Sequence, residues 1–395
     1  MTRGSVLISG GGVAGPSLAY WLGRSGHPTT VVERAPALRT SGAGPVDFRG
    51  DQLALLDRMS VLDDIRANQT GMGDQVVIDR TGRRMSTFPS ALFSGDVEIE
   101  RPDLARILYE HSKDDAEWIF GDHVTGITET GGGVDVTFAH GAARRFDLVV
   151  GADGLHSGVR RLTFGDEGSF RTDLGLYVAG FTMPNRFGID HSGLVYNTPG
   201  RMVMVSSGRD ASVVSVALLW TSPLTDHRHD PRALVSEQFA DAGWRVPDVL
   251  DALRDVPDVY FDTVSQIHLD RWSRGRVVLL GDAAWCTGPG GNATGHAMLG
   301  AYTLAGELAL ASGDHEIAYR RYEELMRRPV AKSQRTASGA ARFLTPATDR
   351  KIRNRDRVYR ILSSRAMTGL FTWLSKRTAN TGDLHEYPLP GLVTV

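Results

Sequence analysis

Three glycines near the N-terminus have the types and spacing that bind a phosphate group. Gly10, Gly12 and Gly15 form the pattern G-x-G-x-x-G. In this pattern the first glycine permits a tight turn, the second lets the backbone approach a pyrophosphate, and the third lets a helix pack closely against a strand. Val13 and Ala14 would lie at the start of that helix, where their backbone N–H groups attract an anion. These residues predict a phosphate-binding turn.

The elements around the glycines extend this prediction to a dinucleotide. Val6–Ser9 is typical of a buried strand, Ala14–Arg24 of an amphipathic helix, and Thr29–Val32 of a second strand that ends at Glu33. An acid at this place accepts hydrogen bonds from a ribose, which favours a free 2′-hydroxyl group or the adenosine ribose of FAD. Arg34, the next residue, leaves a contact to a ribose phosphate open.

Two later segments repeat the combination of a strand, a glycine and an aspartate. The stretch "FDLVVGADGLHSGVRRLTFG" covers residues 146–165 and contains Asp153, and "RVVLLGDAAW" covers 276–285 and contains Asp282. Glycine-rich sequence follows Asp282 and leads into a predicted helix. That density of glycine indicates backbone that comes close to a ligand.

Together, the N-terminal pattern, the "ADGLHSGVR" segment and the "GDAA" segment resemble the group A FAD-dependent aromatic hydroxylases, the p-hydroxybenzoate hydroxylase-like flavoprotein monooxygenases. The resemblance is greatest to the branch that modifies tetracyclines and polyketides. It implies an α/β fold, in which a Rossmann-like FAD-binding domain of the glutathione reductase type has a parallel sheet and an inserted substrate domain has a mostly antiparallel sheet. The expected parts are 1–70, 100–168 and 271–345 for FAD, 71–99 and 169–270 for the substrate, and 346–395 for a C-terminal bracing helix and tail.

The resemblance also implies an activity. FAD would be the resident cofactor, NADPH or NADH a transient reductant and O₂ the oxidant, and a flavin C4a-hydroperoxide would hydroxylate an aromatic or polyketide-type small molecule. No second G-x-G-x-x-G pattern marks a separate NAD(P)H domain. A Baeyer–Villiger or epoxidising outcome uses the same cofactor. Redox-neutral, cyclase-like chemistry and simple sequestration of a planar molecule are further alternatives.

The resemblance implies cofactor contacts for five charged residues. Arg101, in "EIERPDLARIL", matches an arginine that contacts the flavin, and Asp282 would bind the ribityl chain or the pyrophosphate of FAD. Asp153 lies in the segment that the family uses for both FAD and NAD(P)H. Arg160 and Arg161 would contact phosphates of the nicotinamide cofactor. The two aspartates also fit helix N-caps, and the two arginines also fit a solvated helix face.

Two loops would face the flavin ring. The first, "SGAGPVDFRG" at 41–50, supplies Asp47 and Arg49, which also fit a local ion pair. The second follows Asp282 and supplies Pro289, Gly291, Asn292, Ala293 and Thr294. Relatives usually carry G-Q-G after the proline, so the loop here is one residue shorter, with Asn292 in place of Gln and Ala293 in place of Gly. A positive φ at Ala293 would cost about 1 kcal/mol.

A dedicated acid–base catalyst is not required, because the flavin carries the reaction in this family. Candidates that could orient or deprotonate a phenolic substrate are His296, His268, Tyr196, Tyr177 and Arg201. Each of them also fits a structural role. The histidines are scattered without a metal-ligand spacing, so no metal site is expected.

The composition argues against several other classes of protein. The 395 residues suit two lobes, and 44 basic against 46 acidic residues give a net charge of −2, so nothing indicates a nucleic-acid partner. No apolar run is long enough to span a bilayer, and no stable membrane insertion is expected. The one cysteine, Cys286, suits a reducing compartment, so a cytoplasmic protein is expected. The oligomeric state stays open.

Hydrophobic patterning outside the motifs predicts a mostly antiparallel lobe. The predicted elements are strands at 174–183, 192–199, 201–208, 212–220 and 259–267, helices at 234–242, 249–254 and 300–325, and a hairpin at 79–82. A basic helix is predicted at 350–378, with apolar positions Tyr359, Leu362, Met367, Leu370 and Phe371. A helix that braces both lobes is favoured over a basic amphipathic membrane helix.

Overall fold

The computed structural model of the chain describes residues 4–38, 44–90, 95–222, 230–257, 259–289, 292–362 and 384–389. The helices of this part are α1 (Ala14–Arg24), α2 (Asp51–Arg58), α3 (Leu62–Ala67), α4 (Arg101–Ser112), α5 (Gly158–Phe164), α6 (Pro231–Phe239), α7 (Val246–Asp255), α8 (Asp282–Trp285), α9 (Ala293–Leu310), α10 (His315–Leu344) and α11 (Asp349–Leu362). None of these helices is both long enough and apolar enough to cross a membrane.

The strands form two large sheets and two small ones. They are β1 (Val6–Ser9), β2 (Thr29–Glu33), β3 (Pro45–Phe48), β4 (Gln75–Ile78), β5 (Arg84–Phe88), β6 (Val97–Glu100), β7 (Glu117–Phe120), β8 (Val124–Thr130), β9 (Gly133–Phe138), β10 (Arg144–Phe146), β11 (Leu148–Gly151), β12 (Arg171–Pro184), β13 (Ser192–Thr198), β14 (Arg201–Ser207), β15 (Val213–Thr221), β16 (Tyr260–Ile267), β17 (Ser273–Arg274) and β18 (Val277–Leu279). The small sheets are the antiparallel meander β8–β9–β10 and the pair β3–β6.

The first large sheet holds the phosphate-binding pattern. Its six strands lie in the order β17-β18-β11-β1-β2-β7, and all neighbours pair in parallel except β17 with β18. Val6, Leu7 and Ile8 of β1 are fully buried, as expected for a parallel strand that is covered on both faces. The predicted strand at 6–9 and helix at 14–24 are confirmed, and so is the expected α/β fold.

The second large sheet is mostly antiparallel, as predicted. Its seven strands lie in the order β16-β12-β15-β14-β13-β4-β5, and only β13 and β4 pair in parallel. The strands predicted at 174–183, 192–199, 201–208 and 212–220 correspond to β12 to β15. The predicted hairpin at 79–82 connects β4 to β5 and joins this sheet.

The two faces of this sheet have different neighbours. Side chains alternate between the faces along each strand. One face, which includes Tyr177 and Trp220, is covered by α6 and α7 through Phe239 and Leu253. The opposite face forms a separate buried cluster, which includes Val264. The face on which a side chain lies therefore decides whether it packs under α6 and α7 or in the cluster on the opposite face.

One feature of the C-terminal half differs from the sequence-based expectation. The helix predicted at 300–325 is two helices, because Ser312 and Gly313 adopt φ of 53° and 93° and end α9. The described part of the predicted basic helix is α11. Its Arg355 donates hydrogen bonds to the Oδ1 atom of Asn197 in β13 (2.9 Å) and to the carbonyl of Phe343 in α10 (3.0 Å). The positions 363–378 of that prediction lie outside the described residues.

Candidate functional site

The glycines of the N-terminal pattern leave room for a ligand at one position only. A Cβ atom built on Gly10, whose φ is +113°, would lie 2.3 Å from the carbonyl oxygen of Ala152, and one on Gly15 would lie 1.9 Å from the carbonyl oxygen of Gly10. Both positions therefore require glycine for the packing of β1, α1 and β11. A Cβ atom on Gly12 would meet nothing within 4 Å, and Gly12 is exposed. The open space at Gly12 fits a pyrophosphate that approaches the backbone.

The start of α1 is suited to an anion. Val13 is its N-cap residue, no side chain caps the helix, and its first turn, which begins at Ala14, holds no acid. The carboxylate of Glu33 lies beside this turn, where it accepts hydrogen bonds from the N–H groups of Gly11 (2.6 Å) and Ala35 (2.9 Å). These groups fit the phosphate and ribose of a dinucleotide.

The turn at Asp282 meets both helix starts. A Cβ atom on Gly281 would lie 3.1 Å from the Cβ atom of Ala14 in α1 and 3.5 Å from that of Ala297 in α9. Burial raises the pKa of Asp282, and the guanidinium of Arg101, at the start of α4, opposes that shift. Within the described ranges neither side chain has an ion-pair partner. The carboxylate of Asp282 and the guanidinium of Arg101 therefore interact electrostatically but form no ion pair with each other.

The loop at 286–294, for which the resemblance implies a place beside the flavin, is called the flavin loop below. The positive φ falls on Asn292 (φ 46°, ψ 30°), and Ala293 begins α9 with ordinary helical geometry. Ala293 therefore carries no such strain, and Asn292 tolerates the left-handed region better than Ala would. Pro289 and Thr294 are partly buried, and Gly291 lies outside the described residues.

The loop with Asp47 and Arg49 lies beside the start of α9. A Cβ atom on Gly295 would lie 2.1 Å from the Gln52 side chain, and the Oε1 atom of Gln52 accepts a hydrogen bond from the N–H of Arg49 (3.0 Å). The Nε atom of Arg49 lies 2.6 Å from the Oδ2 atom of Asp47, so the local ion pair is present. The loop is thus held next to the flavin loop.

Hydrogen bonds from its own charged side chains hold the segment after β11 in place. The carboxylate of Asp153 accepts hydrogen bonds from the hydroxyl of Ser157 and from the N–H of Val159 (3.0 Å), so it caps the start of α5. Arg160 is fully buried and donates to the carbonyl of Ala283 (2.9 Å) next to Asp282. The expected contact of Arg160 with a nicotinamide-cofactor phosphate does not fit this burial. Arg160 instead connects the "ADGLHSGVR" segment to the "GDAA" segment.

Three of the five candidates for substrate chemistry lie on the face of the sheet under α6 and α7, away from the flavin loop, whereas His296 lies in α9 directly after that loop. Tyr196 (4% exposed) and Tyr177 belong to the cluster under α6 and α7, and Arg201 pairs with Asp241, which follows α6. The Nδ1 atom of buried His296 lies 3.3 Å from the hydroxyl of Ser333 in α10. His268 is exposed after β16. The structure therefore does not bring these five residues together at one site.

A charged cluster joins the "ADGLHSGVR" segment to the second large sheet. His156 lies 3.4 Å from the Oδ1 atom of Asp262 in β16 and 3.1 Å from the Oε1 atom of Glu167. Hydrogen bonds to Asp262 and Glu167 raise the pKa of His156 to about 9. Burial alone would raise the pKa of Glu167, but hydrogen bonds from His156 and Arg171 lower it to about 2. The histidine is therefore charged at neutral pH.

This charge predicts a pH dependence of stability. A histidine with a raised pKa stabilises the fold fully below its unfolded pKa of about 6.5, and the stabilisation is lost as the pH rises to about 9. The effect should stay below about 1 kcal/mol, because the His156 ring is 58% exposed and water screens the pair. Between these pH values, the melting temperature should fall more steeply in the parent than in His156→Gln. Parallel slopes of the two proteins would contradict this assignment.

Comparisons with known proteins show the family and the fold of the chain. A family model described as "FAD binding domain" matches residues 3–333 of the chain. The chain is 40% identical to the uncharacterized protein Rv1260 of Mycobacterium tuberculosis, with 80% of this chain and 88% of that protein covered. It is 31% identical to a flavin-dependent monooxygenase of Legionella longbeachae, with 84% and 87% covered. The crystal structure of the tetracycline destructase Tet(51) has a TM-score of 0.81 and 28% identity, with 98% of this chain and 100% of that chain covered. The chain belongs to the FAD-binding family of flavin-dependent monooxygenases.

Proposed function

We propose that this protein uses NAD(P)H and O₂ to insert one oxygen atom into an aromatic or polyketide-type molecule held beside bound FAD. The observation that carries the proposal is the meeting of three backbone segments: Gly281, before Asp282, abuts both Ala14 at the start of α1 and Ala297 in α9. Arg101 adds a cation to the same space. These donors and the carboxylate of Asp282 suit the phosphates, the ribityl chain and the ring of FAD.

Two uncapped helix starts would hold the negative charge of the cofactor. In the part of the chain that the structure describes, both α1 and α9 begin without a capping side chain and without an acid in the first turn. Their N–H groups are available to a phosphate at α1 and to the charge of a reduced flavin ring at α9. Bound FAD supplies hydride acceptance and O₂ activation. The chain itself contributes binding, orientation and the exclusion of water.

The division of the chain into lobes is part of this proposal. Every strand of the six-stranded sheet falls within 1–70, 100–168 or 271–345, and every strand of the seven-stranded sheet falls within 71–99 or 169–270. This distribution supports a FAD lobe and a substrate lobe. The contacts of Arg355 support a bracing role for 346–395. The single cysteine, which is free and buried, supports a cytoplasmic location.

The proposed substrate class rests on the apolar side chains of the sheet face that borders the flavin loop. A Cβ atom on Gly288 would lie 3.3 Å from Leu174 and 3.6 Å from Val264, so the face of the sheet opposite α6 and α7 adjoins this loop. That face carries partly buried apolar side chains, which include Val178, Met204 and Ala217. An apolar wall with an adaptable methionine suits a planar, largely apolar ligand. The named activity of the similar tetracycline destructase supports tetracycline as the first probe.

A coupled turnover assay tests the proposal. FAD-loaded protein is mixed with NADPH or NADH, with and without tetracycline, and the visible flavin absorption and the product mass are followed. We expect reduction of the flavin to be faster with tetracycline, and a product heavier by one oxygen atom. Firm FAD binding without NAD(P)H oxidation would contradict the proposal and favour redox-neutral chemistry. Arg254→Gln is a control on the exposed side of α7, and it should behave like the parent.

A further inference from the structure

A tyrosine that no motif marks faces the cofactor site. Tyr260 is the first residue of β16, and the register with β12 is regular from Tyr260 to Val264. Alternation of side chains places Tyr260 and Val264 on the same face of the sheet. Phe261 lies on the opposite face, where it packs against Trp220 with 6.0 Å between the ring centroids. The Tyr260 side chain is thus directed away from α6 and α7.

The face that carries Tyr260 borders the flavin loop. The N–H of Ile267, at the end of β16, donates a hydrogen bond to the carbonyl of Cys286 (3.1 Å). A Cβ atom on Gly288 would lie 3.6 Å from the side chain of Val264. The C-terminal half of β16 is therefore fixed against the flavin loop, and Tyr260 lies on the face of the sheet that borders this loop.

Three polar side chains from different elements share this space. Tyr260 interacts electrostatically with Arg101 of α4 and with Asp282 of α8. The phenol is half-buried, and in the part of the chain that the structure describes it has no hydrogen-bond partner. Burial and the carboxylate of Asp262 raise the pKa of Tyr260 to about 12. The phenol therefore stays protonated at neutral pH and can donate a hydrogen bond.

We propose that Tyr260 positions the flavin half of FAD by donating its phenolic hydrogen bond to the ribityl chain or to the adjoining ring edge. The chemistry of the three groups matches a polyol: Arg101 donates, Asp282 accepts and Tyr260 donates. Because β16 belongs to the second large sheet, this bond ties that sheet to a cofactor that is otherwise held by the first. The inference deepens the proposed function and rests on its flavin site, but not on oxygen transfer.

Binding of cofactor fragments to the apoprotein tests this role. In Tyr260→Phe, we expect the Kd values of FAD and of FMN to rise by the same factor, about 3- to 10-fold, because one hydrogen bond is lost. The Kd of ADP, which represents the adenosine half, should stay unchanged. The visible absorption of the bound flavin should also shift between parent and variant. Flavin fluorescence and calorimetry give these values without NAD(P)H or turnover, so failure here is distinct from failure of the proposed function.

A matched variant separates positioning from a structural effect. Tyr109→Phe removes a phenol from α4, where the ring packs on Trp118 with 4.9 Å between the centroids, away from Arg101. This variant should keep the parent values for FAD, FMN and ADP. Equal weakening of ADP in Tyr260→Phe, or a lower apoprotein melting temperature alone, would overturn the proposal. So would unchanged FAD and FMN binding with weaker tetracycline binding, which would assign the phenol to the substrate.

Discussion

Replacing Gly12 by valine is expected to abolish FAD binding and to leave the apoprotein folded. Among the described residues a Cβ atom at Gly12 meets no atom within 4 Å, and Gly12 has no positive φ, so the substitution fits the apoprotein. The valine side chain would fill the space through which a pyrophosphate approaches the backbone. We expect FAD affinity to fall by at least about 100-fold, which corresponds to about 2.7 kcal/mol.

Gly15 provides the contrast within the same turn. A Cβ atom there would lie 1.9 Å from the carbonyl oxygen of Gly10, so Gly15→Ala should destabilise the apoprotein by about 1–3 kcal/mol through overpacking. Urea denaturation of both apoproteins and fluorescence titration with FAD distinguish the two effects. Parent-like FAD affinity in Gly12→Val would show that the phosphates lie elsewhere.

Replacing Arg160 by methionine is expected to cost about 3–5 kcal/mol of the free energy of unfolding. The guanidinium is fully buried, lies 2.8 Å from the carboxylate of Glu167, and donates to the carbonyls of Leu155 and Ala283. Removal of the charge leaves these acceptors without their donor in a buried place. The turn at Asp282 should loosen as well, so FAD affinity should fall together with stability.

Arg161, the adjacent residue, is the control for this effect. Its side chain is exposed on α5, so Arg161→Ala should change the free energy of unfolding by less than about 0.5 kcal/mol. If Arg161 contacts a phosphate of the reductant, its variant should raise the KM for NAD(P)H with unchanged stability. A stability loss under about 1 kcal/mol in Arg160→Met would contradict the structural role of Arg160.

The cofactor turn can be predicted from sequence because its information is local. Gly10, Gly12 and Gly15 lie between one strand and one helix, and both elements have clear hydrophobic periodicity. The same holds for the strand and glycine before Asp282. In these places neighbours along the chain are also neighbours in space, so residue type and spacing are sufficient to predict the turn.

The substrate side of the site depends on register, which the sequence does not reveal. Tyr196 and Tyr260 both lie on strands of one sheet, yet Tyr196 packs in the cluster under α6 and α7, and Tyr260 lies on the opposite face, where we propose that it binds the cofactor. A shift of one residue in strand pairing exchanges the two faces. Arg160 illustrates a second reason: the adjacent Arg161 indicates a solvated face, whereas packing of α5 against β11 and β18 buries Arg160.

Oxygen transfer is tested most directly by isotopically heavy O₂. The FAD-loaded protein is mixed with NADPH and tetracycline under the heavy gas, and the product is analysed by mass spectrometry while hydrogen peroxide is measured in parallel. Proposed monooxygenation predicts a product that carries one heavy oxygen atom, formed in proportion to the NADPH consumed. Recovery of all the consumed oxygen as hydrogen peroxide, with tetracycline unchanged or altered without heavy oxygen, would contradict it.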